Sequence, residues 1–212
     1  MSLEYRPIEA ALVRDRDHYE HVIMTALAEA RVSVWIASAN VKELQIEAPR
    51  GTRARARDRY ISILDQFESL QQRGVELRLL HGGPLSGPFQ QELKRHRDLA
   101  RGGLPIRHCP RVHFKIIAVD GSLLYLGSAN LTGAGLGAKH QGRRNFEAGI
   151  LTHDEQWLDQ MQAAFDEVWT GQQCGGCRMR QLCPAPLDGK TEKSTARPAQ
   201  KKKWKRKAVS AP

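Results

Sequence analysis

Apolar residues recur at helical spacing in His18 to Ala30, where Val22, Ile23, Ala26, Leu27 and Ala30 share one face. Asp15 or Asp17 stands where a side chain caps such a helix. The period then changes. Val32 to Ser38 is rich in β-branched and aromatic residues and predicts a buried strand. Helical spacing returns with Tyr60, Ile61, Ile63, Leu64, Phe67 and Leu70, and Gly74 ends it. Val75 to Leu80 predicts the next strand, stopped by Gly82, Gly83 and Pro84. A more polar helix covers Phe89 to Leu99 and breaks at Gly102 and Gly103.

Downstream, strands follow in quick succession: Leu104 to Cys109, Val112 to Val119, and Ser122 to Leu126. Asp120-Gly121 between the last two is a two-residue hairpin signal. Gly133, Gly135 and Gly137 mark a tightly turned segment, Asn145 to Leu151 a further strand, and Asp154 to Trp169 a final amphipathic helix. Alternating strands and helices early, with hairpins later, predict an α/β fold whose mixed β-sheet is flanked by helices. No internal repeat is visible.

Composition narrows this picture. The chain has 212 residues, 41% of them hydrophobic, enough for one domain and a sizeable core. The pattern divides it into a folded domain over 1–170, a cysteine-rich segment over 171–187 and a tail over 188–212. The net charge is +10. Asp188 to Pro212 carries nine Lys/Arg against two Asp/Glu, so +7 sits in the tail and +3 in the body. With almost no aliphatic residues, that tail reads as disordered and as attractive to polyanions. Arg50, Arg53, Arg55, Arg57 and Arg59 form a second basic run, either a solvated face or a phosphate-contacting surface. No apolar run approaches the ~20 residues of a membrane span. No basic, then apolar, export signal opens the chain, so the expectation is a cytoplasmic protein with no transmembrane segment.

The candidate chemistry lies around the hairpin. His113 and Lys115 are two apart on an expected strand and project to one side. The Asp120-Gly121 turn sends the chain back, so Gly127-Ser128-Ala129-Asn130 returns near the His/Lys end. An imidazole, an ammonium and a carboxamide then converge. Lys can neutralise one phosphate oxygen, Asn can donate to another, and His can attack phosphorus or move protons. Asp120 is explained by its turn position and is the least expected of these residues to act as an acid.

The spacing His113-x-Lys115-x4-Asp120-x6-Gly127-Ser128-x-Asn130 resembles the HxKxxxxDxxxxxxGSxN signature of the phospholipase D superfamily. Val32 to Ile36 resembles that family's early strand, Arg73-Gly74-Val75 its helix-to-strand passage, and Asn145-Phe146-Glu147 its later Asn-x-Glu strand. The resemblance covers roughly Arg14 to Trp169. It implies that His113 is a nucleophile forming a phosphohistidine, with Lys115, Asn130 and Ser128 on the phosphate oxygens. It implies that Glu147 orients a catalytic imidazole, and that catalysis needs no metal. The family uses two such sets, and this chain carries one half. None of His18, His21, His81, His96, His108, His140 and His153 has a lysine two residues on. The resemblance therefore implies a homodimer with its active site on the twofold axis, as in short bacterial nucleases of the family. An inactive half is the alternative.

Cys174-x2-Cys177-x5-Cys183 forms a knuckle-like cluster, with Cys109 far upstream as a candidate fourth ligand of a structural zinc. Free thiols or a redox CxxC remain open readings. The substrate class is also open. The basic tail, the arginine run and Arg143-Arg144 favour a nuclease acting on DNA or RNA. A phospholipase D or phosphatidyltransferase acting on phospholipid is the alternative, and a non-catalytic nucleic-acid-binding protein is a third.

Overall fold

The computed structural model describes residues 5–48 and 60–189. Arg50, Arg53, Arg55, Arg57 and Arg59, and the basic tail beyond Gly189, lie outside the described residues. In chain order the strands are β1 (Ala10–Arg14), β2 (Ser33–Ser38), β3 (Gln45–Glu47), β4 (Tyr60–Ser62), β5 (Glu76–His81), β6 (Ile106–His108), β7 (Lys115–Val119), β8 (Leu123–Gly127) and β9 (Ala148–Thr152). The α-helices are α1 (Ile63–Gln72), α2 (Gly87–Arg95) and α3 (Glu155–Trp169), preceded by a wide, π-type helix over His18–Leu27.

Seven strands form one mixed sheet in the order β1-β9-β8-β7-β2-β5-β6. β2, β5 and β6 run parallel, whereas β7, β8, β9 and β1 pair antiparallel. This is the division the hydrophobic pattern predicts: crossovers through helices early, hairpins later.

The central strands are apolar on both faces because both faces are covered. Val34, Ile36, Leu77, Leu79, Ile117 and Val119 point to the layer holding the His18–Leu27 helix and α1. Ala37, Leu80, Ile116, Ala118 and Leu124 point the other way, onto Leu158, Phe165 and Trp169 of α3. Arg78 pins that second layer: its guanidinium lies 4.1 Å from the Trp35 ring centroid and 3.0 Å from Asp166.

Several boundaries depart from the pattern. Tyr60 and Ile61 belong to a strand, because Ser62 and Asp65 form a capping box that starts α1 at Ile63. Ser86 caps α2 and starts it before Phe89, and the helix ends at His96 instead of reaching Leu99. Neither expected aspartate caps the first helix. Asp17 makes no cap hydrogen bond and instead accepts from the backbone N–H of Arg14, and Asp15 takes a left-handed backbone, φ 47°. Ladder pairing begins only at Lys115 and Ala148, so His113 and Glu147 precede their strands instead of lying within them. The Asp120-Gly121 turn is as predicted: φ of 55° and 60° at its two central residues is the double left-handed conformation of a tight hairpin.

Candidate active site

One end of the sheet gathers the groups singled out by the sequence. Ser38 ends β2 and pairs with Lys115, which opens β7. Gly127 ends β8 and pairs with Gly149 near the start of β9. The segments before β7, after β8 and before β9 therefore emerge side by side.

Lys115 is the hub. Its Nζ lies 3.1 Å from His113 Nδ1 and donates to the His113 backbone oxygen at 2.9 Å. Burial lowers the pKa of the Lys115 ammonium, and the charge of nearby Glu147 opposes that shift. Glu147 is held from two sides: Ser128 Oγ donates to its Oε2, and Asn145 Nδ2 donates to its Oε1 at 3.0 Å. Ser128 Oγ also accepts from the backbone N–H of Ala148 at 3.1 Å, tying the motif loop to β9.

Asn130 is oriented from the neighbouring strand. Its Oδ1 accepts the backbone N–H of Asn40 at 3.0 Å. Ser38 Oγ accepts the N–H of Leu131 at 2.9 Å and donates to the Asn40 oxygen at 2.8 Å. With Oδ1 so occupied, the Asn130 amide presents N–H donors, the polarity a phosphate oxygen requires. Ser38 and Asn40 are the residues the sequence reading missed. They lie about ninety positions before Asn130 in the chain, and no local spacing links them to it.

A glycine at 127 is dictated by packing. A Cβ there would sit 2.4 Å from Tyr125 Oη and 2.9 Å from the Ala148 oxygen. The paired Gly149 leaves room for the same ring, with Tyr125 Cε2 only 2.7 Å from where a Cβ would stand. The phenol thus fills the space beneath the motif loop, and burial raises its pKa.

Not every expected site residue joins the cluster. Asp120 lies at the opposite end of β7, about 17 Å away at the usual rise of an extended chain. There its carboxylate accepts from the backbone N–H groups of Arg31, Val32 and Ser33. Glu147 makes its hydrogen bonds with Ser128 and Asn145, with none to the His113 ring of the same chain. Arg143 is exposed on a short turn just before Asn145, and Arg144 donates to the Lys139 oxygen.

His113 and Ser128 are exposed, and Phe146, between Asn145 and Glu147, is 100% exposed. The site is an open rim. A cavity of about 350 Å³ runs behind it, lined by His113, Arg111 and Phe114 and, on the far side, by Cys109, Cys174 and Cys177. All four cysteines are free thiols lining a second, much smaller cavity. Among the described residues no group of three or more His, Cys, Asp or Glu side chains is placed to hold a metal ion. Among them, too, no helix is long and apolar enough to cross a membrane.

Comparison with known proteins agrees with this fold. The family model described as "Cardiolipin synthase, PLD-like domain" matches residues 23–169. A search of curated proteins found no significant match. Among solved structures, NucT from Helicobacter pylori superposes with a TM-score of 0.54 at 15% identity, covering 76% of this chain and 95% of its own. Nuc from Salmonella typhimurium, a phospholipase D family member, gives a TM-score of 0.52 at 16% identity, covering 77% and 95%. These likenesses are of fold, whereas the family model matches most of the chain, residues 113–130 included. The chain belongs to the phospholipase D superfamily.

Proposed function

We propose that the protein is a metal-independent phosphodiesterase that cleaves nucleic acid through a phosphohistidine, and that it works as a homodimer. The observation that carries this reading is the meeting of His113, Lys115, Ser128, Asn130 and Glu147 from separate chain segments at one end of the sheet.

A phosphate oxygen entering the rim competes with the imidazole for the Lys115 ammonium and frees a ring lone pair for attack. Lys115 and the Asn130 amide then hold two non-bridging oxygens while charge builds on them. A His113 nitrogen bonds to phosphorus, and the phosphorus–oxygen bond to the leaving group breaks. The leaving oxygen needs a proton, and among the described residues no second histidine stands beside this set in the same chain. The partner subunit's His113 would supply it. That imidazole would next take a proton from water, whose oxygen attacks phosphorus and displaces His113. Glu147, fixed by Ser128 and Asn145, is placed to orient an imidazole arriving from across the rim. The bare Phe146 ring beside it is apolar surface that a second chain would cover.

Arg143 at the rim, with the basic segments outside the described residues, favours a polyanionic substrate over a lipid surface. Phosphatidyl transfer is the second reading, favoured by the description of the matching family model. The deciding experiment incubates labelled single-stranded DNA, single-stranded RNA and duplex DNA with the protein in EDTA, with circular dichroism to verify folding. His113→Ala runs alongside. Cleavage by the wild type alone, with acid-labile phosphate trapped on the enzyme, is the expected result. A folded dimer that cleaves none of them, yet turns over anionic phospholipid vesicles, would overturn the nucleic-acid assignment. Binding unaccompanied by turnover, and identical in His113→Ala, would mark a non-catalytic binder.

A further inference from the structure

The segment after α3 poses a question of its own. From Gln172 to Gly189 it contains one short turn of helix, Arg180–Leu182, and not one residue is fully buried. Its few inward-turned positions include Cys174, Cys177, Cys183, Pro186 and Leu187. Ordering such a stretch costs chain entropy that this thin apolar contact offsets poorly. Yet the segment lies against the body of the domain, closing on Gly171, where a Cβ would meet the Asp188 nitrogen at 2.3 Å.

What meets it there is Cys109. This residue lies between β6 and β7, and its backbone N–H donates to the His81 oxygen at 3.0 Å. Cys109, Cys174, Cys177 and Cys183 all line one cavity of about 20 Å³. The Cys177 N–H turns back to the Cys174 oxygen at 3.3 Å. Arg111 lines the same cavity beside the four thiols. Its positive charge suits the excess negative charge of four thiolates around a divalent ion.

We propose that Cys109, Cys174, Cys177 and Cys183 bind one structural zinc ion that fastens the C-terminal segment to the β6–β7 connection. The four side chains turn into the cavity they already line to complete a tetrahedral thiolate set. Four protein ligands leave no open position, so the ion takes no part in the phosphodiester chemistry. Its effect on the site is mechanical. Cys109 is four residues before His113, and the turn between them is closed by the Val112 N–H on the Cys109 oxygen at 2.9 Å. Fixing Cys109 therefore steadies the segment that delivers the imidazole.

The test is metal content of the purified full-length protein by plasma mass spectrometry, with thiol counting. One zinc per chain is expected, retained in His113→Ala and released when a mercurial titrates four thiols. Cys177→Ser and Cys109→Ser should each bind at least tenfold less zinc. Zinc removal should open the bonds after Arg178 and Arg180 to trypsin while the strand signal in circular dichroism persists. A metal-free protein, a mass deficit of two hydrogens per disulfide, iron with sulfide in place of zinc, or full zinc content in Cys109→Ser would each overturn the assignment. None of these readouts depends on nuclease activity, so the two proposals fail separately.

Discussion

Asp120 and Ser33 exchange two hydrogen bonds: the Asp120 N–H donates to the Ser33 oxygen at 2.8 Å, and the Ser33 N–H donates to Asp120 Oδ1 at 3.0 Å. With Arg31 and Val32 also donating to its carboxylate, Asp120 fastens the β7–β8 hairpin to the start of β2. The aspartate of the family signature is therefore a staple at the end of the sheet away from the histidine.

Asp120→Ala should lower stability by about 1–3 kcal/mol, the usual cost of leaving such donors unmet. It should leave turnover per folded molecule unchanged. Burial works against the charge at Asp120, but the N–H groups of Val32, Ser33 and Arg31 outweigh it and lower the carboxyl's pKa. Stabilisation from a depressed carboxyl is complete above its ordinary range and is lost as pH falls through the folded value. Urea melts at stepped pH should show a shallower acid-side decline in Asp120→Asn than in the wild type.

His81 carries the opposite ionic preference. Burial lowers its pKa, a Gly83 carbonyl 2.6 Å from Nδ1 opposes this, and His108, stacked at 4.9 Å, adds to the lowering. The unfolded chain therefore takes up a proton here before the folded one does. Stability should fall as pH drops below the ordinary histidine value and level off below the depressed one. In His81→Gln this part of the pH dependence should vanish from thermal melts recorded between pH 7 and pH 5.

Gly127→Ala should cost about 1–3 kcal/mol through overpacking against Tyr125 and the β9 backbone. It should also depress kcat by displacing Ser128. Adding Tyr125→Phe removes the atom closest to the new methyl group and should recover part of the lost stability. Additive losses in the double variant would count against this packing account.

Phe146→Asp should leave the melting temperature of the isolated chain unchanged, because the ring is wholly exposed. If the rim is where two chains meet, the substitution should shift sedimentation toward monomer at micromolar protein and abolish cleavage in parallel. A dimer of undiminished stability would move the interface elsewhere.

Much of this architecture was legible in the chain. The runs at Val34 and Leu77 announce strands covered on both faces, and Asp120-Gly121 announces its own turn. What escaped depends on pairing at a distance. The Asn130 amide is oriented by Asn40, and Lys115 is registered by Ser38, contacts that no local period encodes. Tyr60 and Ile61 carry helical spacing, yet a cap at Ser62 and a partner strand at Gln45–Glu47 outweigh it. The spacing of Cys174, Cys177 and Cys183 was readable, whereas the nearness of Cys109 needed the path of the chain after α3.

The rim-exposed set of candidate catalytic groups, single among the described residues, has a genetic consequence. If each site draws its nucleophile from one chain and its acid from the other, a lesion in either chain silences the shared centre. Wild-type and His113→Ala subunits, mixed and allowed to re-equilibrate, should then yield activity proportional to the square of the wild-type fraction. A linear response would mean that each chain works alone. An inactive allele co-expressed with an intact one would thus act as a dominant inhibitor, leaving about a quarter of the dimers competent at equal dosage.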